Sequence, residues 1–234
     1  MTERPAWYAR TGSTGADLLA ILHPPYSAWH LSYVVIGASL AASVSLPRLG
    51  WTLLVFFLAV GIGAHALDEV NARPLKTGLS DGALWGMAIA ALAAAAVITA
   101  FGSVLLSPWI WGWAVVGLFF AVGYPLEWPA FLHTDLGFAV AWGAYPVLAG
   151  YWVQAESVSI DAVIVAGFAT LLSLAQRSLS TPARFVRRQT TTAGAQFDGA
   201  EWDRARLLAT WEAPLRWLAW AVVLLAAGLL VARI

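Results

Sequence analysis

The residues of this sequence that could carry chemistry are few, and they lie near the ends of its apolar segments. The chain has four histidines: His23, His30, His65 and His133. Five carboxylates lie at the same segment ends: Asp68, Glu69, Asp81, Glu127 and Asp135. Imidazole and carboxylate groups act as general acids and bases and as ligands of divalent metals. The grouping therefore predicts a polar catalytic or metal-binding cavity. A set of separate side chains at the membrane interface is the alternative.

The densest part of this group surrounds His65. If one helix continues through the segment, His65, Asp68 and Glu69 stand at positions i, i+3 and i+4 and share a face. No soluble zinc-protease signature is present, so a metal site depends on convergence in three dimensions. The predicted metal ligands are His65, Asp68, Glu69, His30 and His133.

The composition indicates which elements must position these residues. Of the 234 residues, 60% are hydrophobic and 11% are charged, whereas soluble domains carry about 25% charged residues. The net charge is zero, which argues against a nucleic-acid partner. The lack of cysteine excludes disulfide scaffolds and thiolate metal sites. Fourteen tryptophans suit a water–lipid boundary. The sequence predicts an integral membrane protein.

Seven apolar segments are about long enough to cross a bilayer. They cover residues 28–46, 50–67, 83–103, 109–124, 135–153, 159–175 and 213–232. We expect an all-α bundle of about seven transmembrane helices in a single domain over residues 1–234. Residues 1–27 form an N-terminal segment in this prediction. Residues 176–212 form a polar loop, and a helix lying on the membrane surface begins at about residue 201.

Lysine and arginine placement predicts the orientation. With a cytoplasmic N-terminus, the cytoplasmic side receives eleven of the thirteen basic residues. They are Arg4, Arg10, Arg73, Lys76, Arg177, Arg184, Arg187, Arg188, Arg204, Arg206 and Arg216. The other side receives Arg48 and Arg233. We therefore expect the C-terminus outside, in the plasma membrane of a prokaryote.

Two stretches resemble the UbiA superfamily of intramembrane prenyltransferases. Residues 64–80 read AHALDEVNARPLKTGLS, similar to a family loop in which an Asp-rich motif precedes Arg-Pro-Leu. Residues 141–151 read AWGAYPVLAGY and look like the fifth span of the family. The resemblance covers roughly residues 20–180 and implies a helical bundle around a lipid-facing cavity.

The resemblance also implies a chemistry. In the family, aspartates bind Mg²⁺, which holds an isoprenoid diphosphate, and basic residues assist its departure. By position, Asp68 matches the second aspartate of the motif, and His65 replaces the first. The implied catalytic residues are Asp68, Glu69 and His65. The implied substrate-binding residues are Arg73, Lys76, Arg177 and Arg184. The expected partners are membrane lipid and a lipophilic small-molecule substrate.

The sequence departs from the family in the loop after the sixth span. Residues 175–184 (AQRSLSTPAR) contain no carboxylate where the family has a second Asp-rich motif. Three interpretations stay open. The first is prenyl transfer with Mg²⁺. The second is a His/carboxylate enzyme that uses Zn, Fe or Mn for oxidation or hydrolysis of a lipid-soluble substrate. The third is a non-catalytic subunit or transporter, which would need no metal.

Overall fold

The computed structural model describes residues 5–10 and 12–234, and these residues form a helical bundle with one short hairpin. The elements are α1 (Thr14–Ile21), α2 (Pro24–Leu40), α3 (Leu46–Ala72), α4 (Asp81–Leu105), α5 (Ile110–Gly123), α6 (Asp135–Ala155), α7 (Ile160–Gln189), β1 (Ala195–Phe197), β2 (Ala200–Trp202) and α8 (Arg204–Val231). Arg4, one of the basic residues counted for orientation, lies outside the described residues.

Five helices have the length and apolar composition of membrane spans: α3, α4, α6, α7 and α8. Helices α2 and α5 are shorter, with 17 and 14 residues. The expectation of an all-α helical bundle is confirmed, and five candidate membrane spans are found among the described residues where about seven were expected. Large apolar side chains cover much of its outside, such as Phe101 at 67% exposure and Leu224 at 68%.

Side-chain caps fix where several helices begin. Ser80, Thr134, Ser159 and Asp203 each accept a hydrogen bond from a backbone N–H in the first turn of the helix that follows. These caps satisfy donors that a helix cannot satisfy internally. The caps of α4 and α6 lie at the end of the bundle that carries His65 and His133, so they set where two helices begin at that end.

Helices α3 and α6 each contain a π-helical turn, over Phe57–Ala64 and Val140–Ala144. A π turn adds a residue to the helical repeat and rotates everything that follows it, and such turns often occur at functional sites. In α3 the rotated residues are His65 and Asp68. Gly61 and Gly63 lie within the first of these turns, and Pro146 follows the second.

The polar region after the sixth span differs from the prediction. Helix α7 continues to Gln189 instead of ending near residue 175, and the expected surface helix is the first part of the continuous helix α8. The reason is tertiary packing. Ala183 and Val186 of α7 pack against Leu208 of α8, so the mixed polar and apolar segment has a protein partner instead of a membrane surface.

The closest helix contact joins α2 to α6. A Cβ atom on Gly150 would overlap the carbonyl oxygen of Val34, and one on Gly37 would overlap that of Val147. The two glycines therefore allow backbone-to-backbone packing, as small residues do in membrane helix pairs.

We expect Gly150→Ala to lower the free energy of unfolding by about 1–3 kcal/mol, the usual effect of overpacking. Gly86→Ala is the matched control because a Cβ there meets nothing within 4 Å. The measurement is the thermal unfolding midpoint in detergent. Equal midpoints for the two variants would show that the α2–α6 contact is loose.

Candidate functional site

A cavity of about 330 Å³ opens at one end of the bundle, and all four histidines line it. The opposite end carries Arg48, which donates hydrogen bonds to the carbonyl oxygens of Val153 and Gln154. The histidines come from three places in the chain: before and within α2, in α3, and in the loop that precedes α6. Helix ends therefore bring together residues that are more than 100 positions apart.

The N-terminal segment closes one side of this cavity, with residues 5–8 in its wall. The guanidinium of Arg188 donates to the carbonyl oxygen of Pro5 at 3.4 Å, and that of Arg216 lies 5.0 Å from the ring centre of Trp7. The hydroxyl of Tyr8 is hydrogen-bonded to Nδ1 of His23. This covering segment, residues 5–8, was not foreseen because it has neither apolar periodicity nor a motif.

Three imidazoles are oriented by backbone carbonyls. Nδ1 of His30 lies 3.0 Å from Trp142 O, Nδ1 of His65 lies 3.3 Å from Gly61 O, and Nδ1 of His133 lies 3.0 Å from Tyr124 O. A carbonyl oxygen only accepts, so the proton sits on Nδ1 in each ring. The neutral ring then keeps a lone pair on Nε2. Such a nitrogen can accept a proton.

His23 has a different environment. Its ring centre lies 4.3 Å from that of His65. Burial, with repulsion from His65 next, holds the pKa of His23 well below its ordinary value. Its Nδ1 is hydrogen-bonded to the Tyr8 hydroxyl, and its Nε2 is a buried atom with no partner among the described residues. The side-chain oxygen of Gln176, also in the cavity wall, is buried and unpartnered in the same set. Buried polar atoms in this state indicate a cavity that takes up polar groups.

Asp68 lies in the cavity wall, but its neighbour Glu69 does not. Glu69 is completely buried, and its carboxylate accepts hydrogen bonds from Leu75 N at 2.9 Å, Thr77 N at 2.8 Å and Thr77 Oγ1 at 2.9 Å. One step along a helix rotates a side chain by about 100°. The shared face expected for His65, Asp68 and Glu69 thus holds for the first two only.

Arg73 and Lys76 also lie outside the cavity wall. The guanidinium of Arg73 donates to Leu79 O at 2.7 Å and forms an ion pair with Asp81. Lys76 is exposed. Both residues belong to the loop at residues 73–80, in which Leu75 N and Thr77 N donate to the Glu69 carboxylate. The implied substrate roles of these two residues find no support in this placement.

Four arginines of α7 line the cavity: Arg177, Arg184, Arg187 and Arg188. Arg177 pairs with Asp135 at 2.8 Å, and its guanidinium lies 5.2 Å from the Phe138 ring centre. Arg187 forms an ion pair with Glu212. Arg187 and Arg188 were absent from the expected substrate-binding set. Arg188 follows Arg177 by 11 residues, about three turns, and so lies on the same helical face, whereas Arg187 is rotated by about 80° from it. This signal required α7 to be longer than predicted.

A second, apolar groove of about 130 Å³ adjoins the cavity. It runs between α3, α4 and α5, and its wall includes small side chains such as Ala96 and Gly117. Val60 and Trp142 belong to the walls of both spaces. The arginine-lined cavity and the apolar groove thus share these two side chains in their walls.

The described side chains do not fit a metal ion held by several protein ligands. Among them, no group of three or more His, Asp or Glu residues is arranged to hold one. The physical reason is that the candidates have other partners: His133 lies 3.6 Å from Glu127, Glu69 caps the loop, and Glu212 pairs with Arg187. His30 and His65 remain in the wall, each oriented by a carbonyl.

Comparison with known proteins identifies no relative. No protein-family model, curated protein or solved structure matches this chain. The likeness of residues 64–80 and 141–151 to UbiA-superfamily motifs therefore rests on those residues alone.

Proposed function

We propose that this protein is an intramembrane enzyme of UbiA type, with about seven spanning helices, that transfers an isoprenyl group from a diphosphate donor to a lipid-soluble acceptor. The observation that carries the proposal is the junction of the arginine-lined cavity with the apolar groove at Val60 and Trp142. A molecule with an anionic head and an apolar tail has the polarity that the two spaces require.

The arginines of α7 supply the headgroup chemistry. Guanidinium groups form charge-assisted, often bidentate hydrogen bonds with phosphate oxygens. As the carbon–oxygen bond of the donor breaks, the bonding electrons leave with the diphosphate. Fixed positive charge in the cavity stabilises that developing charge.

The acceptor forms the new bond to the freed carbon and loses a proton to a base of the cavity wall. Nε2 of His65 suits this role because Nδ1 is held by Gly61 O. The carboxylate of Asp68 lies in the same wall and is the second candidate. Both residues belong to α3, directly after its π turn.

The proposal places the cavity on the cytoplasmic side of the plasma membrane. The positive-inside rule favours this orientation. Arg48 and Arg233, the two basic residues assigned to the outside, contact the other end of the bundle through Val153 O and Ser39 O.

The test is turnover of geranylgeranyl diphosphate by the full chain in vesicles that contain bacterial lipid extract and Mg²⁺. We expect pyrophosphate release and a prenylated lipid detected by mass spectrometry. The double variant His65→Ala, Asp68→Ala removes both candidate bases and should abolish formation of the prenylated lipid, whereas Glu201→Ala, an exposed residue of the hairpin, should not. Binding without release would identify a non-catalytic carrier. Stoichiometric iron, zinc or manganese that is lost in His65→Ala would favour the transition-metal alternative.

The groove predicts a dependence on tail length. Ala96→Phe places a ring in the groove, so affinity for geranylgeranyl diphosphate should fall about tenfold while that for geranyl diphosphate changes little. Ala93→Phe is the matched control, because Ala93 is exposed on the same helix and outside the groove wall. An affinity for geranylgeranyl diphosphate that is unchanged in Ala96→Phe would place the tail elsewhere.

A further inference from the structure

We propose that Arg184 and Arg188 bind the donor's phosphate groups directly and that this binding requires no divalent cation. The inference rests on the proposed function and concerns the same cavity. It differs from what the resemblance to the UbiA superfamily implies, because in that superfamily the diphosphate is bound through Mg²⁺ that aspartates coordinate.

The first observation is the position of the two side chains. Arg184 and Arg188 are four residues apart on α7, so they lie on one face of the helix. Both are half-buried and both line the cavity. They come from the α7 segment past the expected end of the sixth span, where residues 175–184 have no carboxylate.

The second observation is that neither arginine has an ion-pair partner among the described residues. Within that part of the chain, Arg184 donates to Thr181 Oγ1 at 3.4 Å and Arg188 to Pro5 O at 3.4 Å. Among residues 5–10 and 12–234, no carboxylate lies within ion-pair distance of either guanidinium, whereas Arg177 pairs with Asp135. Each guanidinium carries five N–H donors, so most of them stay available.

The third observation is electrostatic. Arg177 and Arg188 both repel Arg184. Half-buried cations that repel one another are unfavourable unless an anion joins them. Phosphate oxygens match guanidinium geometry, and two adjacent arginines can bind both phosphates of a diphosphate.

The carboxylates that a cation would need are committed elsewhere. Of the carboxylates in the cavity wall, Glu212 pairs with Arg187 and Glu127 lies 3.6 Å from His133. Glu69 lies outside the wall and accepts from Leu75 and Thr77. Asp68 is left, and both Arg184 and Arg188 act on it electrostatically. In this arrangement the Asp68 carboxylate repels the incoming phosphates, so removal of its charge should not weaken their binding.

The experiment is isothermal titration of geranylgeranyl diphosphate into the full chain in phosphatidylcholine nanodiscs, once with EDTA and once with Mg²⁺. We expect the same affinity, within about threefold, in both conditions. Arg184→Gln and Arg188→Gln should each weaken binding about tenfold or more in EDTA, and Arg184→Lys should recover part of the loss. Asp68→Asn should bind as tightly as the unmodified chain or more tightly.

Arg206→Gln is the matched control because this exposed arginine of α8 stacks on Trp202, outside the cavity. Thermal midpoints of all variants separate lost binding from lost folding. Inorganic pyrophosphate is the competitor that tests whether the headgroup, and not the tail, provides the recognition.

Binding that needs Mg²⁺ and vanishes in Asp68→Asn would overturn the inference and leave the proposed function standing. Binding in EDTA that neither arginine variant weakens would also overturn it. No binding in either condition would reject both the inference and the proposed function.

Discussion

Replacing Glu69 with alanine is expected to lower the free energy of unfolding by about 3–5 kcal/mol, since it leaves buried donors unpaired. The carboxylate is fully buried and accepts from Leu75 N, Thr77 N and Thr77 Oγ1. In the same loop, Arg73 and Lys76 adopt left-handed backbone conformations, with φ of 47° and 53°. Each such residue is unfavourable by roughly 1–2 kcal/mol, and the Glu69 hydrogen bonds offset that strain.

The measurement is unfolding of Glu69→Ala in detergent, with Glu201→Ala as the exposed control. Glu69→Gln should fall between the two because its amide oxygen still accepts from the loop. The result separates two roles for this residue. A metal ligand would give a protein of unchanged stability that has lost activity, and that outcome would contradict the loop-holding role.

The second large effect is expected at the ion pair between α7 and α8. Glu212→Ala should lower the free energy of unfolding by about 3–5 kcal/mol, because it removes the acceptor of a buried, bidentate ion pair between the two helices. The Arg187 and Glu212 side chains are only 18% and 6% exposed. Arg187 also donates through its second nitrogen, at 2.6 Å from Glu212 Oε2. The bidentate geometry fixes the register of the two helices.

The double variant Arg187→Met, Glu212→Met should recover much of that loss, since apolar side chains of similar size often replace a buried pair at little cost. The four unfolding free energies form a double-mutant cycle. Additive single effects would mean that the two side chains stabilise the helices independently, contrary to the pairing described here.

Apolar length was enough to predict most of the helices. The run at residues 83–103 matches α4 (Asp81–Leu105), which Ser80 caps. The end of α7 was misplaced because Arg177, Arg184 and Arg187 suggest a solvated loop. They remain helical since Ala183 and Val186 pack on α8. The hydrophobicity of the sequence alone does not predict that tertiary contact.

The candidate site divides in the same way. Successive spanning helices run in opposite directions, so every second connection lies at the same end of the bundle. This accounts for the convergence of the four histidines on one cavity. The difference between Asp68 and Glu69 could not be foreseen, because it depends on the path of residues 73–80 back over the helix. The role of Tyr8 was equally hidden, since a short irregular segment carries no periodic signal.

The covering segment also affects how the protein should be handled. Residues 5–8 form part of the cavity wall, tied by Arg188 to Pro5 and by Arg216 to Trp7. A label or affinity handle attached within or next to residues 5–8 would therefore disturb the cavity wall. Arg233 donates to Ser39 O at the opposite end of the bundle. Labels and surface-immobilisation linkers placed near Arg233 would leave the cavity wall intact.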